Sequence, residues 1–484
     1  MDTIDPIIKQ LNSRNTGRFY WAVTVLATIG GFLFGYDTSN IGTDLQFIPF
    51  YSPHLNPFIT GYLVSGASLG AAVGALIAAA LTDKYGRKYL LIADALIYSI
   101  GAILSGLSID IIMLIISRTF IGIAVGADSA IATAYIAEYA PKEKRGQLSI
   151  LQQWMITIGI LGAYLIGMLV FFVAPGLAYV VDWRILLGVA AIPSLIGLAF
   201  RIYMPESPRW LILHRKFENA ITSLKKFGID ATKEQLMNTY NYLKSTEIRI
   251  KETTGIKRAF VIVALFMMFQ QITGINVPFY YGPFIIHDLH LFPSVSGIYS
   301  TVYAIGASAI LAVINVLATY IGFKLIDTYG RRSLALMGYA GMAFFDFVGT
   351  ILYLMHISIG LLIGFAGFII FFAFGVGGTG WIIQGEYFPT SYRGLFASLI
   401  AFVDWISNFA IIEIFPYMDK TIGIGYSMLI FGILSVIAFI TFFIIMPVTK
   451  GKSVEDITEM FEENPLLGVK SASREIDVNK SETR

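Results

Sequence analysis

The residues best suited to chemistry lie close together in 269–283, FQQITGINVPFYYGP. An apolar run from Ala259 to Phe269 leads into two glutamines, a threonine, a glycine, an asparagine, a proline and two tyrosines. Pro278 has no N–H for the carbonyl of Gly274, and Gly274 accepts irregular backbone, so a helix entering this stretch is expected to break. Gln270, Gln271 and Asn276 then sit beside the break. A neutral amide donates and accepts at once, which suits a ligand whose groups do both, such as a polyol or a sugar. The competing reading is that these amides bridge two membrane helices; three of them around one break weigh toward a ligand. A second constellation is Asp37, in GGFLFGYDTSN, with Arg118, in IISRTFIGIAVG. An ionisable side chain deep in an apolar segment is costly and marks function by default. Desolvation disfavours the carboxylate, and a nearby cation opposes that. The pair reads as a protonation switch or as a static tie between two helices.

The elements that must position these residues are membrane helices. Of 484 residues, 56% are hydrophobic and only 14% charged, with mean hydropathy +0.71; a soluble chain carries about 25% charged residues. A spanning helix needs about 20 apolar residues, and the sequence offers twelve such segments. They lie near 19–41, 58–82, 89–108, 111–139, 147–173, 184–203, 258–287, 295–323, 333–356, 359–386, 394–417 and 424–447. The expected fold is an all-α membrane protein with two six-helix halves, 19–205 and 258–447. Residues 206–257 are helix-patterned, too polar to span, and read as a small cytoplasmic helical domain. Residues 1–18 form a polar N-terminus without a signal-peptide pattern, and 448–484 a short charged tail, read as disordered at its end. Basic residues in short loops (Lys84, Arg87, Lys88, Lys142, Lys144, Arg145, Lys324, Arg331, Arg332, Arg393) fall on the side of both termini and the middle domain; the other side holds Arg184 and Lys420. That asymmetry predicts cytoplasmic termini.

The halves also repeat one another. DKYGRK at 83–88 returns as DTYGRR at 327–332, and AEYAPKEKRG at 137–146 returns as GEYFPTSYRG at 385–394. Such repeats place a substrate site at their interface near the midplane. The near-zero net charge gives no hint of nucleic acid. The chain has no cysteine, and its five scattered histidines include no HExxH and no convincing metal cluster, so no metal or cofactor is expected.

These motifs, with PESPRW at 205–210, QQITGIN and PVTKGKS, resemble the sugar porter family of the major facilitator superfamily over nearly the whole chain. The resemblance implies a twelve-helix fold with alternating access, and hexoses or pentoses as substrates. It implies that Asp37 and Arg118 form the proton-coupling pair of bacterial and plant sugar–proton symporters; facilitative animal glucose carriers have Asn at that position. It gives sugar contacts to Gln153, Gln270, Gln271, Asn276, Asn315, Trp381 and Asn408; Tyr280 and Tyr281, with Asp404 and Trp405, read as gate or wall positions. Gln152, about 100° away on the helix, is the weaker choice beside Gln153. Two departures stand out. Ala373 and GVGG replace the Glu and GPGP-like turn of the tenth helix, and Asp404 precedes Trp405 where Asn or a neutral polar residue is usual. Asp404 reads first as a sugar acceptor, then as a protonatable group, then as a carboxylate of no consequence.

The charge motifs Asp83, Arg87, Glu138, Arg145, Glu206, Asp327, Arg331, Glu386 and Arg393 are expected to pair across neighbouring helices when the inner side is closed. A single exposed pair contributes about 0–1 kcal/mol, so the network counts for more than its members; the plainer reading is positive-inside topology. Gly66, Gly70, Gly74 and Ala78, with Gly122, Gly126 and Ala130, suit close helix packing. The expected function is alternating-access transport of a monosaccharide across the plasma membrane by a monomer, with protons as co-substrate. The alternative is a passive sugar uniporter in which Asp37–Arg118 is structural. A transmembrane sugar receptor calls for a long signalling tail, and an intramembrane enzyme for a nucleophile with a base or a metal set; neither is found.

Overall fold

The computed structural model describes residues 5–13, 17–49, 56–141, 144–251, 255–289, 297–388, 390–452, 456–457 and 460–461, all helix, turn or coil without strands. Eleven stretches among the described residues are long and apolar enough to cross a membrane. The last, Gly394–Ile445, is interrupted at Gly423, whose φ of 80° no helix contains, so it makes two spans and the total is twelve. Large apolar side chains such as Ile112, Leu169, Phe172, Phe344 and Ile440 project outward from the bundle. A surface of that kind belongs in hydrocarbon, and the chain is a multi-pass membrane protein.

The seventh span breaks where its sequence demands. Gly255–Ile272 ends, a turn follows, and Val277–Tyr280 and Gly282–Asp288 resume the path. Gly274 sits in that turn at φ +89°, and an added Cβ would lie 2.7 Å from the ring of Phe431. Both the backbone and the space exclude a larger residue there. In the tenth span the GVGG sequence forms a widened π-helical turn, Phe372–Gly377, immediately before Gly378–Glu386. Such turns recur at functional sites, and this one aims Trp381 inward. The second span, Pro57–Tyr85, and the fourth, Ile111–Tyr139, close on each other at Gly70, Gly74, Gly122 and Gly126, where a Cβ would run into the facing backbone.

Pro208–Leu213, Phe217–Lys226 and Lys233–Lys251 form the small polar unit between the halves. Its core (Trp210, Leu211, Ile212, Leu224, Leu236) is completed by Ile7, Ile8 and Leu11 of an N-terminal helix, Pro6–Ser13. Asp5 caps that helix and also accepts from Thr239 Oγ1 at 3.0 Å. The N-terminus, expected from the sequence only as a polar segment, thus holds a helix docked on the middle unit. The tail's end, 462–484, lies outside the described residues.

Candidate functional site

Asp37 and Arg118 meet between the first and fourth spans. Both guanidinium NH groups donate to the two carboxylate oxygens, each at 3.2 Å, and the side chains are 7% and 1% exposed. Arg118 Nε also donates to the Leu63 carbonyl at 3.0 Å, and one NH group to that of Val64 at 3.4 Å. The planar fork therefore spans an acid on one helix and backbone on another. Removing the acid's charge would leave the cation buried with carbonyl dipoles alone.

The amides converge as the sequence suggests. Gln271 Nε2 donates to Asp404 Oδ1 at 2.7 Å, while Gln271 Oε1 accepts from Asn276 at 2.8 Å and from Asn408 at 3.0 Å. Ser68 Oγ of the second span donates to Asn408 Oδ1 at 2.9 Å, which carries the network across to the other half. A second bridge between the halves is Trp381 Nε1 donating to Gln153 Oε1 at 3.0 Å. Gln270 and Asn315 are buried too, but each keeps a side-chain oxygen without a donor among the described residues. Trp405 donates to Ser129 Oγ at 3.0 Å and sets its ring edge-on to Phe34, centroids 4.6 Å apart. Tyr281 donates to the Ile412 carbonyl at 3.0 Å. The carbonyls of Phe279 and Tyr280 press on Gly42 of the first span, and Tyr164 donates to the Phe279 carbonyl at 2.7 Å. Beyond Tyr281 lies a cavity of about 260 Å³, lined by Leu45, Thr60, Phe284, Phe415 and Asp419, on the face away from the charge motifs.

At the charged face Arg87 pairs with Glu138 at 2.8 Å and Asp83 at 3.5 Å; Arg331 pairs with Glu386 at 2.7 Å and Asp327 at 3.0 Å. Each cluster touches the other half. A Cβ on Gly146, at the start of the fifth span, would sit 2.5 Å from Asp327 and 2.7 Å from Arg331; one on Gly394, at the start of the eleventh, 3.4 Å from Asp83. Glu206 accepts the backbone N–H groups of Arg87, Lys88 and Ser207. Burial raises the pKa of Glu206, and those donors and the Arg87 charge oppose the rise. The side chains of Arg145 and Arg393 lie outside the described residues.

Sequence reasoning missed a second buried ionic cluster. Arg201 of the sixth span pairs with Asp94 of the third and Asp128 of the fourth, both at 2.5 Å, and donates to the carbonyls of Leu26, Ala27 and Leu91. The signal was present as charges inside LIADALIY, VGADSAI and LAFRIY. Ser68 and Ser129 were missed as well, because serine in a membrane helix usually bonds its own backbone. Among the described residues no three His, Asp or Glu side chains group as metal ligands.

Two six-span halves meeting at a polar centre, with an ion pair set into one half, define a membrane carrier rather than an enzyme. Residues 23–461 match the family model described as "Sugar (and other) transporter", and the chain belongs to that family. It is 33% identical over 472 residues to the arabinose-proton symporter of Bacillus subtilis (strain 168), covering 95% of this chain and 98% of that one. It is 30% identical over 462 residues to the galactose-proton symporter of Escherichia coli (strain K12), covering 93% and 95%. Among solved structures, the major facilitator superfamily proton:xylose symporter XylE bound to 6-bromo-6-deoxy-D-glucose superposes with a TM-score of 0.79 at 26% identity, covering 92% of this chain and 99% of that one.

Proposed function

We propose that this protein is a monosaccharide–proton symporter of the plasma membrane, working as a monomer in the bilayer by alternating access. The observation that carries the sugar is the state of the central amides. Gln270 and Asn315 hold buried oxygens with no donor among the described residues, and an unmet buried acceptor costs about 1–3 kcal/mol. A polyol supplies O–H donors to such groups and accepts from Gln153, Gln271, Asn276 and Asn408, while the apolar face of Trp381 packs against sugar C–H groups. The relatives that carry arabinose or galactose with protons, and the likeness to a xylose symporter, support the same class of hexose or pentose substrate.

Coupling is assigned to Asp37 and Arg118. With Asp37 ionised, the bidentate bridge holds the first span to the fourth. A proton on Asp37 weakens that hold and lets the halves rock with sugar bound. Tyr280 and Tyr281 form the gate toward the cavity, and the paired arginines of the charged face are the opposite latch. We take the charged face, with both termini and the unit at 206–257, to be cytoplasmic, and the halves to run 19–205 and 258–447. Uptake of labelled arabinose, galactose, xylose and glucose into proteoliposomes, with and without an inward proton gradient, tests this. Accumulation of one sugar above equilibrium supports symport. Equilibration that ignores the gradient means a uniporter, and no uptake of any monosaccharide overturns the sugar reading.

A further inference from the structure

Asp404 sits inside the amide network, 1% exposed, and Gln271 is the one side chain among the described residues that bonds it. An ionised carboxylate only accepts, so it fixes which end of Gln271 faces it. With that NH2 group committed to Asp404, the Gln271 oxygen must face Asn276 and Asn408, and both turn their NH2 groups toward it. Asn408 is then left to accept from Ser68. One carboxylate thus sets the donor and acceptor pattern of four residues on the second, seventh and eleventh spans.

A protonated Asp404 loses its charge and gains an O–H donor beside its remaining acceptor, so it no longer fixes which end of Gln271 faces it. The reversed state, in which Gln271 accepts that proton and its NH2 group confronts those of Asn276 and Asn408, donor against donor, then becomes populated. Other charges do not offset this. On the spans packed against the eleventh, Arg118 is committed to Asp37 and Asp128 to Arg201. Asp83 and Glu138 pair with Arg87, and Glu386 with Arg331. Arg258 donates to the Phe461 carbonyl, Tyr281 to Ile412, and Glu413 of the same helix accepts from Ser65. Lys84, Lys257, Arg332 and Asp346, with Tyr62, Tyr85, Tyr135, Tyr139, Tyr280, Tyr339 and Tyr353, are the remaining titratable groups on those spans, and among the described residues none of them bonds Asp404.

We propose that Asp404 is a proton-responsive positioning residue of the sugar site, whose ionised form orients the Gln271–Asn276–Asn408 network so that taking up a proton weakens sugar binding. This rests on the symport reading above and adds a proton effect opposed in sign to that of Asp37. By linkage, bound sugar disfavours a proton on Asp404 by the same factor.

The test uses the Asp37→Asn protein, in which the coupling carboxylate no longer titrates. Counterflow of D-xylose, D-galactose or L-arabinose, whichever the wild type accumulates, is measured with equal pH on both sides. From about pH 8.5 to about pH 5.5 the KM should rise at least about threefold. In Asp37→Asn/Asp404→Asn the profile should be flat, because the amide keeps an acceptor for Gln271 without titrating. If a variant does not move sugar, quenching of Trp381 and Trp405 fluorescence by the same sugar in detergent supplies the same profile. A flat profile in Asp37→Asn alone, or an unchanged slope in the double variant, overturns the proposal. A wild type that accumulates no sugar is a different result and overturns the symport reading instead.

Discussion

Replacing Asp37 by asparagine isolates the coupling step. The substitution keeps the shape and one acceptor but leaves Arg118 buried without its counter-charge, a cost of about 3–5 kcal/mol. Arg118 remains fixed by the carbonyls of Leu63 and Val64, and the protein should fold. What disappears is the proton. At one proton per sugar, an inward gradient of about two pH units supplies about 2.7 kcal/mol, which supports about a hundredfold accumulation. Wild-type proteoliposomes should approach that ratio, whereas Asp37→Asn should stop at a ratio of about one under the same gradient. Exchange of labelled for unlabelled sugar should persist, since the amides are untouched. Gradient-driven accumulation by Asp37→Asn would refute the assignment of coupling to this pair, whatever its stability.

Gln153→Ala removes a proposed sugar contact and the acceptor for Trp381; a neutral hydrogen bond contributes about 0.5–1.5 kcal/mol, so KM should rise about 2- to 12-fold in zero-gradient exchange. Gly126→Leu forces a side chain into the backbone of the second span at Ala71 and should lower the thermal midpoint in detergent by many degrees, while Gly17→Leu, with open space around it, should not. Arg331→Ala removes pairs to Glu386 and Asp327 that we propose as the latch of the charged face. Because the chain has no cysteine, Ile150→Cys, buried beside Ile326 and Ile382, reports on that face directly, and its thiol labelling should speed up in the Arg331→Ala background.

The parts of the fold written in local chemistry were legible. Apolar length and the basic loops gave twelve spans, and Gly274 with Pro278 marked the break in the seventh. The Asp37–Arg118 pair and the amide set followed from polar residues that hydrocarbon does not tolerate idly. What depends on distant partners was not legible. Nothing near Arg201 in sequence points to Asp94 and Asp128, and the apolar side of Pro6–Ser13 finds its core two hundred residues away. Likewise, Asp404 stood out as a departure, but its hold on Gln271 is a property of two spans meeting.

That N-terminal helix has a consequence in time. Ribosomes add about 5–20 residues each second, so Ile7, Ile8 and Leu11 emerge about 10–40 s before Trp210, Leu224 and Leu236 exist to cover them. Throughout that interval six spans enter the bilayer while a short apolar face waits uncovered in water. Closing the small unit between the halves is therefore a late event, and it joins Pro6–Ser13 to a segment made only after the sixth span.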